Sequence, residues 1–261
     1  MDVVVLPDPR RAERLAARLI ADELRGNPRL VLGLATGRTM EQVYRELVEL
    51  HRREALDFAG CRSFNLDEYA GLPATSPNSY RAYMQRHLFD QVNLDPANTH
   101  LPDGTAGDLA AECSRYEELI EQCGGIDLQL LGIGLDGHIG FNEPLSSFAS
   151  RTRVVMLSPE TMAQNGPLFD DLGQMPRRAL TMGVGTILEA NRCLLLATGA
   201  EKNRIVTQFV EGPLTAMISA SALHLHPHCT VILDEAAGGG LQGLEHYRWI
   251  FANEPKWNTY R

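Results

Sequence analysis

Leu128-Gln-Leu-Leu-Gly-Ile-Gly-Leu-Asp-Gly-His-Ile-Gly-Phe-Asn-Glu-Pro144 passes from an apolar run into a glycine-broken polar loop. The run Leu128 to Ile133 reads as a strand buried in a sheet. The loop after it carries Asp136, His138 and Glu143, two carboxylates and an imidazole within eight residues. In open α/β sheets, ligands bind where the carboxyl ends of strands give way to loops. A histidine flanked by acids at such a place can move protons near neutral pH. Taken alone, the segment reads equally well as a polar loop whose Asp caps a helix and whose His is merely hydrogen-bonded. The rest of the chain tips the balance.

Outward from this stretch, short apolar runs alternate with amphipathic segments. Strands are expected at Val3–Leu6, Leu30–Leu34, Cys61–Leu66, Cys193–Ala197 and Thr230–Leu233. Helices are expected at Arg10–Leu24, Thr39–Leu50, Ser79–Leu88, Leu109–Gln122, Gly183–Ala190, Lys202–Val210 and Leu214–Leu223. Such alternation implies an α/β fold with a mostly parallel sheet covered on both faces. One domain over residues 1–237 is expected, with a C-terminal tail, 238–261, packed on it after Gly238-Gly-Gly240. The stretch from Ser158 to Pro176, with its Asn-Gly-Pro and Asp-Asp-Leu-Gly turns, reads as a long loop or lid, within a segment at about 155–180.

Composition narrows the function classes. A net charge of −9 over 261 residues argues against a general binder of nucleic acid or anionic membrane, although one local basic pocket can still hold a small anion. No apolar stretch reaches the ~18 residues of a membrane span, and the N-terminus lacks the pattern of a signal peptide. The five scattered cysteines (Cys61, Cys113, Cys123, Cys193, Cys229) suit reduced thiols in a cytoplasm better than a disulfide framework or a zinc site.

Three further strand ends carry chemistry. In Leu34-Ala-Thr-Gly-Arg-Thr-Met-Glu-Gln42 a strand meets a small-residue turn, and Thr39 with Gln42 makes a capping-box pattern. Free N–H groups at such a helix start favour an anion, Gly37 permits close approach, and Arg38 can grip phosphate oxygens with two donors. The turn matches neither a Walker loop nor a dinucleotide fingerprint. Past the next strand, Asp67 and Glu68 follow Phe64-Asn-Leu; Asp67 is a candidate general base, or both acids are solvated loop residues. Leu196-Ala-Thr-Gly-Ala-Glu-Lys202 repeats the strand–turn–helix pattern, with Lys202 able to meet an anion. Together these ends form a coherent pocket for a small phosphorylated molecule. His224, His226 and His228 suggest a metal site, but no acid or cysteine completes a ligand set and Pro227 disturbs the geometry.

The runs Ala35-Thr-Gly-Arg-Thr39, Phe64-Asn-Leu-Asp-Glu-Tyr-Ala-Gly-Leu72, Asn78-Ser-Tyr80, Gly134 to Pro144 and Ala179-Leu-Thr-Met-Gly-Val-Gly-Thr186 resemble the glucosamine-6-phosphate deaminase family, in order and over about Val3 to Glu235. The related 6-phosphogluconolactonases share Asp-Gly-His, but typically have Asp-Glu-Arg where this chain has Asp67-Glu-Tyr, and lack Phe141-Asn-Glu-Pro144. The resemblance implies a three-layer, Rossmann-like α/β/α domain. It implies conversion of glucosamine 6-phosphate and water to fructose 6-phosphate and ammonia, without metal or cofactor. By resemblance, Asp67 moves the proton between C2 and C1, His138 helps open the pyranose, and Asp136 and Glu143 orient and charge that imidazole. Ala35, Thr36, Gly37, Arg38, Thr39 and Lys202 correspond to the phosphate-binding elements.

Some positions depart from the family pattern. Pro167 stands where a lid arginine is usual, and Arg38 where the phosphate turn commonly has Gly or Ser. Arg38 is therefore expected to supply from below the charge that the lid no longer supplies from above. Ser146 and Arg153 resemble an effector site for N-acetylglucosamine 6-phosphate, but Val155 replaces a lysine, so weak activation or none is expected. Homo-oligomers occur in the family, as do monomers. Competing readings are a galactosamine-6-phosphate deaminase, a 6-phosphogluconolactonase-like hydrolase and a non-catalytic sugar-phosphate sensor.

Overall fold

Strand β1 (Asp2–Leu6) leads into α1 (Pro9–Gly26), and β2 (Val31–Leu34) into α2 (Arg38–Glu54). The chain then runs through β3 (Arg62–Asn65), β4 (Asp67–Tyr69), α3 (Tyr80–His87), β5 (Thr99–His100), α4 (Leu109–Gln122) and β6 (Leu128–Leu131). Next come β7 (Arg153–Met156), α5 (Pro159–Asn165), β8 (Arg178–Thr181), α6 (Val184–Leu188), β9 (Arg192–Ala197) and α7 (Asn203–Glu211). Last are β10 (Cys229–Asp234), α8 (Glu235–Gly238) and α9 (Leu244–Asn253). This computed structural model describes residues 1–169 and 175–261; the expected Asp170-Asp-Leu-Gly173 turn lies outside them.

Helix α1 shows how sequence sets these elements. The Asp8 carboxylate accepts the Arg11 N–H at 3.0 Å, and Pro9 occupies the first turn, where a missing N–H costs nothing. Ala12, Leu15, Ala16, Ile20 and Leu24 then recur at helical spacing and are buried. Each fully buried Leu or Ile contributes about 1.5–3 kcal/mol. β2 and β6 are buried at every position, which is why they read as unbroken apolar runs rather than alternating ones.

Seven strands form one sheet in the order β1-β10-β9-β6-β2-β3-β5, and every pairing in it is parallel. From β1 to β3 the chain advances one way across the sheet through α1 and α2, which pack on each other. From β5 to β10 it returns the other way through α4 and α7. Right-handed crossovers therefore put α1 and α2 on one face and α4 and α7 on the other, giving three layers in a single domain. The reversal falls between the neighbours β2 and β6, and a crevice opens there at the carboxyl ends of the strands.

The structure corrects several expectations. The Cys61–Leu66 strand ends at Asn65, and Asp67–Tyr69 joins a second, antiparallel sheet, β4-β8-β7, in which Asp67 pairs with Thr181. The described residues of the Ser158–Pro176 segment carry α5 and a 3-10 turn, Gly166–Leu168, and Phe169 and Met175 join an apolar cluster with Tyr69, Phe141 and Leu157 on this small sheet. Leu214–Leu223 is not an α-helix but leads into a 3-10 turn, Ser219–Leu225. There the Ser221 hydroxyl donates to the Thr215 carbonyl and accepts the Thr215 N–H, so side-chain bonds compete with helical ones. Gly37, not Thr39, is the N-cap of α2, and no side chain caps it. The tail after Gly238-Gly-Gly240 packs α9 against β1.

Candidate active site

A cleft of about 780 Å³ opens at the crevice and is bordered by the turns after β2, β3, β6 and β9. The first turn is Ala35–Thr39. Gly37 adopts φ 118°, a conformation only glycine takes without strain, and turns the chain into α2. Its carbonyl accepts the Met40 N–H and, at 2.7 Å, the Tyr83 hydroxyl. The Arg38 and Thr39 N–H groups at the helix start face no backbone acceptor among the described residues, as an anion site requires. Thr36, Gly37, Arg38 and Thr39 all line the cleft. Ala35 is buried beside it, its carbonyl accepting the Tyr44 hydroxyl.

Leu196-Ala-Thr-Gly199 after β9 repeats Leu34-Ala-Thr-Gly37 in both sequence and shape, with Gly199 at φ 96°. Lys202 sits in a 3-10 turn, Ala200–Lys202, just before α7 rather than inside it. Its ammonium donates to the Ile133 carbonyl at 2.7 Å and so points across the turn after β6. Burial pulls its pKa down, while Glu201 and Asp136 hold it up. Arg38 is exposed, and among the described residues no carboxylate pairs with it. Arg38 and Lys202 thus bring positive charge to the cleft beside the two Thr-Gly turns.

Asp67 faces the same space from β4. It is 6% exposed, and no hydrogen bond engages its carboxylate among the described residues. Burial first, and then the Glu68 carboxylate, push its pKa up to about 8. Glu68 itself is structural: it accepts the N–H groups of Tyr69, Tyr80 and Arg81 at 2.9–3.0 Å and fastens the start of α3.

His138 also lines the cleft, and Asp136 and Glu143 lie beside it without lining the cleft themselves. Its Nδ1 is 2.7 Å from an Asp136 carboxylate oxygen and 3.8 Å from one of Glu143. The His138 N–H also donates to Asp136. Burial would raise the Asp136 carboxyl, but the hydrogen bonds and charge of His138 outweigh it and hold the group well below the usual range. The loop makes room through Gly134, where a Cβ would lie 2.5 Å from the imidazole. Donor atoms of Asp136, His138 and Glu143 lie within 4.8 Å of one another, near enough to hold a cation. However, two ligands of a tetrahedral zinc stand about 3.3 Å apart at ~2.05 Å bond lengths. At 2.7 Å, Asp136 and His138 Nδ1 are instead at ion-pair distance from each other. His224 and His226 direct ring nitrogens to the Phe209 and Ala190 carbonyls, and His226 also accepts the His228 N–H.

Sequence reasoning missed one wall of the cleft. Tyr80, Tyr83, Arg86 and His87 of α3 line it. Their spacing of three and four residues is the available signal, since it puts them on one helix face. Thr161 and Asn165 of α5 line it as well, and Asn165 donates to the Tyr69 hydroxyl at 3.0 Å.

Comparison with known proteins gives the family. The family profile for glucosamine-6-phosphate isomerases and 6-phosphogluconolactonases matches residues 9–231. A glucosamine-6-phosphate deaminase of Arthrobacter sp. (strain FB24) is 48% identical over 257 residues, covering 98% of this chain and 99% of the relative. One from Streptomyces coelicolor is 47% identical over 258 residues, with 98% and 99% covered. A solved monomeric glucosamine-6-phosphate deaminase superposes with a TM-score of 0.90 at 45% identity, covering 92% of this chain and all of that one. The 6-phosphogluconolactonase from Trypanosoma cruzi shares the fold at a TM-score of 0.72 and 22% identity, over 92% and 97% of the two chains. The chain belongs to the family of glucosamine-6-phosphate isomerases and 6-phosphogluconolactonases.

Proposed function

We propose that this chain is a glucosamine-6-phosphate deaminase in which Asp67 and His138 both act at the C1–C2 end of one bound hexose phosphate. The observation that carries this is their shared cleft, which also holds the 36–39 turn and Lys202. The sugar phosphate sits against the Arg38 and Thr39 N–H groups, with Arg38 and Lys202 supplying charge. The described part of the 155–180 segment, α5 and the turn after it, serves as a lid on the cleft.

His138, braced at Nδ1, moves protons between the ring oxygen and the anomeric hydroxyl and opens the pyranose to an aldehyde. Asp67 takes the proton from C2 as the C1 carbonyl collects the electron pair, then returns it to C1. The C1 aldehyde becomes an alcohol and C2 an imine. Water adds to C2, ammonia leaves, and fructose 6-phosphate remains. The sequence needs no electron sink, because the carbonyl of the opened sugar fills that role.

The 6-phosphogluconolactonase reading rests on fold likeness at 22% identity and below; the deaminase relatives are 43–48% identical. Ammonia release from glucosamine 6-phosphate and galactosamine 6-phosphate, measured beside hydrolysis of 6-phosphogluconolactone, separates these activities. Loss of ammonia release in Asp67→Asn supports the assignment; lactone hydrolysis without ammonia release rejects it. Light scattering at assay concentration tests for self-association. No helix among the described residues is long and apolar enough to cross a membrane. Five free cysteines, four of them buried, fit a reducing cytoplasm.

A further inference from the structure

Glu143 is gripped from one side only. Its Oε1 accepts the Thr161 hydroxyl at 2.7 Å and the Ser158 N–H at 3.1 Å, both from the lid segment. Its Oε2 is inaccessible, has no hydrogen-bond partner among the described residues and points toward His138 Nδ1 at 3.8 Å. A carboxylate with one oxygen fixed by two donors has little rotation left, so the lid sets where the other oxygen lies. Thr161 is 4% exposed, and its N–H is taken by the Ser158 hydroxyl at 3.1 Å. Its own hydroxyl is thereby aimed at Glu143.

We propose that Thr161 is a positioning residue of the reaction: its hydroxyl holds Glu143 so that the second carboxylate oxygen braces the His138 imidazole. This rests on the ring-opening role given to His138 above. It joins the lid to proton transfer through one side chain, so the imidazole is fully braced only when the lid segment is seated. The interaction is between Thr161 and the enzyme's own acid, so it governs turnover rather than affinity for the sugar phosphate.

The test is steady-state ammonia release by Thr161→Val, Thr161→Ser, Glu143→Gln and the Thr161→Val/Glu143→Gln double variant, with thermal melting to confirm folding. Valine keeps the branched shape and removes the donor. A hydrogen bond to a carboxylate supports an expected fall in kcat of about tenfold or more, with KM within about twofold. Serine should restore most of kcat even if valine loosens the fold, and valine should add little on the Glu143→Gln background. A Thr161→Val enzyme with unchanged kcat overturns the proposal, as does a loss that serine fails to restore or one undiminished in the double variant. Wild-type turnover by Glu143→Gln would instead sink the brace itself, and with it the role of the acid behind His138.

Discussion

Asp67→Asn should make the protein inactive and, near neutral pH, more stable. The native pKa of about 8 against a reference of 3.8 means that folding binds a proton at Asp67 more tightly than the unfolded chain does. For an acid shifted upward, the unfolded state is the one that ionises first, so stability falls as pH rises from about 4 to about 8 and levels off beyond. The slope within that window approaches 1.4 kcal/mol per pH unit, about 4 kcal/mol between pH 4 and 7. Asparagine does not titrate and escapes this loss. It brings instead an amide without obvious partners, at a cost of about 1–3 kcal/mol that is the same at every pH.

The two terms make the sign of the mutation depend on pH. At pH 4.5 the variant should be no more stable than wild type, and at pH 7.5 it should lead by about 2–4 kcal/mol, or about 4–16 °C in Tm for a chain of this size. Urea unfolding of both proteins at half-unit steps from pH 4.5 to 8 gives the difference directly. A difference that stays flat across that range refutes the reasoning, because it would mean that Asp67 titrates alike in the folded and unfolded states.

Other consequences are measurable. Arg38→Ala should raise KM about tenfold or more with a small change in kcat, since Arg38 is exposed at the helix start proposed to hold the phosphate; an unchanged KM rejects its role. Gly134→Ala puts a Cβ 2.5 Å from the His138 ring, so kcat should fall by about 100-fold or more, while protection of the protein by inorganic phosphate in thermal melting persists. In the pH profile, kcat/KM should decline as pH is lowered, with a limb set by Asp67 in the free enzyme near 8, because the base must be ionised to work. A profile flat from pH 6 to 9 contradicts that.

The sequence disclosed some of this and concealed the rest for physical reasons. β2, β6, β9 and β10 are buried on both faces, so their apolar runs announce them, and the loops after β2, β6 and β9 fall where the chemistry lies. β4, β7 and β8 carry no such signal. Asp67-Glu-Tyr69 holds two acids and pairs with a strand more than 100 residues away in sequence, while Arg153–Met156 is partly exposed. Thr39 with Gln42 imitates a capping box, yet the glycine two residues earlier takes the cap because the turn needs a positive φ. The α3 face was visible as spacing, but which way it looked was a matter of packing. Thr161 was hidden in a segment whose role is set by its contact with Glu143.

An aspartate protonated near neutral pH looks ill suited to be a base, and the resolution lies in what the cleft receives. Asp67, Asp136 and Glu143 line or back the cleft, while Arg38 and Lys202 cluster toward the phosphate turns. A hexose phosphate carrying an ammonium at C2 therefore brings a positive charge to the acidic end. An opposite charge within ~4–6 Å favours the ionised carboxylate, so the substrate itself lowers the Asp67 pKa once bound. The limb in kcat, which reports the complex, should then lie below the limb in kcat/KM. A phosphorylated lactone has no such cation and would leave Asp67 protonated. With Asp67 as the proposed base, the same burial that weakens it in the free enzyme favours an amino sugar over a lactone in this cleft.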